Sequence, residues 1–153
     1  MSKASCVVRL EGKEIDGDIV SCTGNQLGLI IKSLSPLSAD CIWFGVDINA
    51  SYPIPENYRE TVDPVNIGNS EELFNFVSQV PQFLSGVFLA VPVNYLPIEW
   101  PRLFETEDKP FDEMGEIRFE IRAFDTSYIE IYAQNPDQIQ RLSEQFQVEI
   151  EYP

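Results

Sequence analysis

The chain of 153 residues reads as a single α+β domain over 1–153, with a mixed or mainly antiparallel sheet of about five to six strands and about three helices. Three observations predict it. Segments 116–124 and 128–133 alternate strictly between apolar and polar residues, the mark of strands with one face on a core and one in water. Segments 41–48 and 86–91 are nearly continuous apolar runs of strand length, which suit strands buried on both faces. Apolar residues at helical spacing follow capping residues in three places.

The elements follow in order. Cys6, Val8 and Leu10 alternate with Val7, Arg9 and Glu11, giving a first strand over 5–10. Residues 12–18 are polar and turn-like. Thr23 caps a helix carrying Leu27, Ile30, Ile31 and Leu34, which Pro36 ends. Gly24 and Gly28 each weaken such a helix by ~1 kcal/mol if interior, so packing has to hold it. The run Cys41–Ile48 is a strand. Residues 49–69 carry prolines at 53, 55 and 64 and read as a long irregular connection. Ser70 or Asn69 caps the next helix, and with Asn69 as cap Glu72 takes the third helical position of a capping box. Leu73, Phe74, Phe76, Val77 and Val80 form its apolar side, and Pro81 stops it.

Gly86–Val91 is another strand, and 94–113 a second long connection. In 116–124, Glu116, Arg118, Glu120 and Arg122 share the solvent face, with Ile117, Phe119, Ile121 and Ala123 inward. Asp125-Thr126-Ser127 makes the turn into Tyr128–Ala133, where Ile129 and Ile131 point inward. Arginines across this hairpin are placed to pair with Glu130 and stack on Tyr128 and Tyr132. Asn135-Pro136 opens a helix lined by Ile139, Leu142 and Phe146. Val148, Ile150 and Tyr152 predict a last strand.

Composition bounds the function. Hydrophobic residues make up 44% and there are ten phenylalanines, six tyrosines and two tryptophans, too many for a disordered acidic chain. Twenty-five acids face ten bases, a net charge of −15. Direct nucleic-acid binding and anionic membrane surfaces are disfavoured, since both need Lys and Arg, whereas a basic protein partner is attracted and steered. No apolar run approaches a membrane span. The N-terminus lacks a signal-like stretch, so the mature chain is expected to start here and stay cytoplasmic. Cys6, Cys22 and Cys41 sit beside apolar residues without disulfide or zinc spacing, and read as small buried hydrophobes.

Histidine is absent, which removes His-based triads and the commonest acid–base and metal-ligating side chain. No nucleophile elbow, phosphate-binding loop or dinucleotide fingerprint occurs. An acid–base carboxylate pair of the glycosidase kind is arithmetically possible but has no sequence signature. Asp108–Glu116 does not fit a calcium loop, because Gly115 is misplaced and Pro110 and Phe111 interrupt it. The expectation is a protein that is not an enzyme and uses no cofactor or metal.

The densest acidic tract, Glu105, Glu107, Asp108, Asp112, Glu113 and Glu116, has Lys109 as its sole base. It is the candidate docking edge for a basic partner, the alternative being a solvated loop. A smaller acidic group, Glu11, Glu14, Asp16 and Asp18, surrounds the first turn. Trp100, in the irregular tract 95–103, is the candidate aromatic contact at this edge; anchoring that tract to the body is the other reading and the better supported one. Trp43, inside a buried-strand run, reads as core.

The run 116–132 (EIRFEIRAFDTSYIEIY) and the short helix after it resemble the C-terminal part of small bacterial proteins of the toxin-immunity type. The resemblance implies the immunity type; the charge of −15, the missing catalytic motifs and the single-domain size lead to the expectation of an inhibitor that neutralises a basic toxin, such as a nuclease, by covering its active surface. The resemblance carries no residue roles. Three other classes remain: a DNA-mimic inhibitor of a nucleic-acid enzyme, a small-molecule-binding or enzymatic domain walled by connections 49–69 and 94–115, and a housekeeping or structural domain whose charge serves only solubility.

Overall fold

The computed structural model describes residues 6–59, 63–104 and 113–152. Its elements are β1 (Cys6–Leu10), α1 (Gly12–Ile15), α2 (Gly24–Leu34), β2 (Cys41–Ala50), β3 (Val65–Gly68), α3 (Ser70–Ser78), β4 (Phe83–Pro92), β5 (Phe119–Phe124), β6 (Tyr128–Ala133) and α4 (Gln140–Phe146). The strands form one six-stranded sheet in the order β1-β6-β5-β4-β2-β3. Every pairing is antiparallel, so the α+β class stands.

The main core lies between the sheet and α2, α3 and α4. Cys6, Val8, Trp43, Phe88, Ala90, Ile121, Ile129 and Ile131 from the strands meet Leu27, Ile30, Ile31, Leu73, Val77, Ile139 and Leu142 from the helices. Local chemistry starts α2 and α3 where the sequence indicates. The Thr23 hydroxyl accepts from the Gln26 N–H at 3.1 Å, and the Gln26 side chain accepts in return from the Thr23 N–H. Asn69, rather than Ser70, caps α3, with Glu72 closing the box. Pro136 opens a 3-10 turn capped by Asn135, and α4 follows it.

The two glycines of α2 have a packing role. A Cβ on Gly24 would run into the carbonyl oxygens of Val77 and Val80, and one on Gly28 would stand 3.1 Å from the Phe74 ring. The helix gives up propensity at these points and gains close approach to α3.

Three elements depart from the sequence expectation. Residues 12–15 form a single helical turn, α1, closed by a Glu11–Glu14 capping box. Connection 49–69 contains β3, of whose four residues Val65, Asn66 and Gly68 pair with Trp43–Gly45, too few to show an alternation. The last strand does not form. Val148 is held by α4, its N–H donating to the Ser143 carbonyl and its carbonyl accepting from the Ser143 hydroxyl. Only Glu151 reaches the edge, in one bridge to Val7.

The largest correction concerns the hairpin's polar face, which is not solvated. Strand β5 begins at Phe119, so Glu116 and Arg118 lie before it. Glu120 and Arg122 are each 1% exposed and Glu130 7%. The connection after β4 folds back over this face and buries Phe104, Met114 and Ile117 against Val7, Val46, Val87, Leu89, Val91 and Tyr132. The sheet therefore has an apolar core under its helices and a second, mixed apolar and ionic layer on the other side.

Candidate functional site

Strand register explains how the ionic layer is assembled. One cross-strand row runs Arg9, Glu130, Arg122, Val87, Val46, and the next runs Val7, Tyr132, Glu120, Leu89, Phe44. Residues of opposite charge thus meet as neighbours on one face. Glu120 sits between two guanidiniums: Arg122 Nε donates to Oε2 at 2.6 Å, and Arg102 Nη2, from the overlying connection, donates to Oε1 at 2.6 Å. Arg122 lies over the Tyr132 ring, 4.6 Å from its centroid. Tyr132 donates its hydroxyl to Glu130 Oε1 at 3.0 Å. Burial above all, then the nearby Glu130 carboxylate, pushes the Tyr132 phenol well up, so it remains a donor. At the rim Arg9 donates to Glu130 Oε2 at 2.8 Å and covers Tyr128.

Of the expected hairpin contacts, the stacking of Arg122 on Tyr132 is present. Arg9, from the neighbouring β1 rather than the hairpin, binds Glu130 and covers Tyr128. Arg118 goes elsewhere. It binds Asp40 through both terminal nitrogens, at 2.5 and 3.2 Å, and the Leu37 carbonyl at 2.9 Å. Its hydrogen bond holds the Asp40 carboxyl below the usual range.

Of the seven candidate contact residues, Glu105, Glu107, Asp108 and Asp112 lie outside the described residues. Trp100 packs edge-to-face on Phe44 at 5.0 Å and on Phe104 at 5.8 Å, the geometry of an anchor for the connection. Glu113 is half-buried, and its carbonyl accepts from Arg102 Nε at 2.9 Å. Glu116 is exposed on the turn before β5.

Glu116 also lines a polar cleft of about 310 Å³ at this end of the sheet, with Tyr95, Arg118, Gln134, Asn135 and Gln138 among its walls. The Gln134 side chain fixes the turn that carries Glu116, donating to the Gly115 and Ile117 carbonyls at 2.7 and 3.1 Å. A second cleft, about 490 Å³, opens where the two long connections meet, between Asp63 and Pro64 on one side and Ile98, Trp100 and Arg102 on the other.

At the first turn Glu11, Asp16 and Asp18 are exposed, and Glu14 is half-buried in its capping box. Asp16 Oδ1 accepts from the Asp18 N–H and from Gln26 Nε2. The tip presents Ile19 at 95% exposure.

The three thiols are buried and unbridged. Burial pushes those of Cys22 and Cys41 up to about 11, leaving them protonated and unreactive at neutral pH. Among the described residues no cluster of three or more His, Cys, Asp or Glu is placed to hold a metal. No described helix is long and apolar enough to cross a membrane.

The ionic-layer residues escape sequence reasoning because nothing local marks them as covered. The available signal was the connection itself: Leu96, Ile98, Trp100 and Phe104 are too apolar to stay in water and need a surface to lie on. No family model matches the chain, and no curated protein or solved structure shows significant similarity to it.

Proposed function

We propose that this protein is an acidic binding protein of the immunity or inhibitor type, which neutralises a basic toxin such as a nuclease by covering its active surface. The observation that carries the reading is the uneven use of charge. The pairs Arg9–Glu130, Arg102–Glu120–Arg122 and Arg118–Asp40 engage four of the ten bases and three of the 25 acids. The other 22 acids face six bases. Among the described residues fifteen acids but only five bases are exposed, so the outside is predominantly negative. Such a surface speeds encounter with a cationic partner and disfavours nucleic acid and anionic lipid. The absence of histidine and of catalytic motifs favours binding over catalysis.

The test is co-expression with the product of the neighbouring reading frame. A basic neighbour that forms a stoichiometric complex and loses its activity is the expected result. An acidic neighbour, or a basic one left fully active, contradicts the immunity assignment.

A second reading, a small-molecule-binding domain, is favoured by one observation. The cleft between the two connections has a volume within the ~300–1,000 Å³ of ordinary ligand sites and combines an indole, a guanidinium and aliphatic walls.

A further inference from the structure

We infer that the cleft lined by Tyr95 and Glu116 receives an arginine side chain of the basic partner, an inference that rests on the binding reading above. A guanidinium is recognised by a carboxylate, by carbonyl oxygens in the plane of its N–H groups and by an aromatic face. The cleft supplies all three. Glu116 is the exposed carboxylate, and Asp137 is exposed between two of the wall residues, Asn135 and Gln138. The Asn135 and Gln138 side-chain oxygens each accept one backbone N–H, at 3.0 and 3.3 Å, and an amide oxygen has a second lone pair for a ligand. Tyr95 is 51% exposed, so its ring is open to a cation.

The positive wall residue, Arg118, does not oppose a cation. Its guanidinium is held by the Asp40 carboxylate and the Leu37 carbonyl, which leaves Glu116 as the carboxylate of the cleft wall open to a ligand. Around the same Arg118–Asp40 pair stand Leu37 and Val93, exposed by 39% and 47%, with the Val93 N–H donating to the Asp40 carbonyl at 2.9 Å. Apolar side chains beside a polar pocket are the arrangement that excludes water around a buried anchor. The volume of about 310 Å³ admits one side chain rather than a folded segment. Glu116, the last acid of the tract, stands at this rim.

The experiment is an amide-detected NMR titration of the full chain with N-acetyl-arginine amide, with the citrulline analogue as an uncharged isostere. Saturable shifts centred on Tyr95, Glu116, Asn135 and Gln138 are expected for arginine and not for citrulline. Glu116→Gln, on an exposed turn, should weaken the arginine response roughly tenfold, the loss of one charge-assisted hydrogen bond. Tyr95→Ala should weaken it less. Equal binding of citrulline, shifts spread over Glu11–Asp18 without saturation, or no saturable shift at all would each overturn the inference. An oligoarginine peptide run in parallel separates the two levels. If the peptide binds with strong salt dependence while Glu116→Gln changes nothing, the cleft assignment falls and the binding reading stands.

Discussion

Replacing Glu120 with alanine is expected to destabilise the fold by about 3–5 kcal/mol, read as a lower urea midpoint at unchanged slope. Glu120 is 1% exposed and its two oxygens accept from Arg102 and Arg122, which have side-chain exposures of 16% and 1%. Removing the carboxylate leaves two desolvated cations in place without the anion that both bind. Such a loss exceeds the net worth of the pairs themselves, because burying the charges has already cost most of the attraction. The comparison that isolates this cause is the triple replacement Arg102→Met, Glu120→Leu, Arg122→Met. It removes all three charges together, and its stability should lie within about 1–2 kcal/mol of the wild type. A single Glu120→Ala variant as stable as the wild type would mean that water reaches this face and that the connection does not cover it.

Trp43→Ala is expected to cost a similar amount, about 3–5 kcal/mol. Trp43 is fully buried, and its indole N–H donates to the Ser70 hydroxyl at 3.0 Å. The Ser38 hydroxyl donates to the Leu34 carbonyl, so the Ser70 proton goes to Ser38, 2.9 Å away. The chain of bonds joins β2, the start of α3 and the end of α2. Trp43→Phe keeps most of the apolar contact but removes the N–H, and should cost about 1–2 kcal/mol. Equal losses for the two substitutions would contradict a hydrogen-bonded pin and leave only volume as the cause.

The sequence shows the helix-side half of this protein well and the other half poorly. Thr23, Asn69 and Pro136 announce their helices because capping acts within four residues. The runs at 41–48 and 86–91 announce strands because burial needs no partner to be visible as composition. The polar positions of 116–124 and 128–133 mislead for a different reason. Alternation shows which residues leave the main core, not whether something later covers them. Glu120 and Arg122 satisfy each other on one strand, two residues apart, so a buried ion pair and a solvated strand face look identical in sequence. The second cation on Glu120 comes from Arg102, whose register against the sheet depends on the fold of a long irregular tract. Four-residue β3 and the single Glu151 bridge are equally silent, since neither is long enough for a period.

The candidate contact residues divide in the same way. Glu116 reaches a cleft that only the spatial meeting of the end of β4, the turn before β5 and the 134–138 turn creates. Trp100 packs as an anchor, the better supported reading of its irregular tract in the sequence.

The central claim is that the acidic tract 105–116 is used to bind a basic partner. Its most direct measurement is the association rate of the wild-type chain with the basic product of the neighbouring reading frame, followed by stopped flow over a series of salt concentrations. The variant Glu107→Gln, Asp108→Asn, Asp112→Asn, Glu113→Gln is measured beside it. Charge steering predicts a wild-type rate that falls steeply as salt rises, and a variant that is slower at low salt with a flatter dependence. Wild-type and variant rates that coincide at every salt concentration would contradict it.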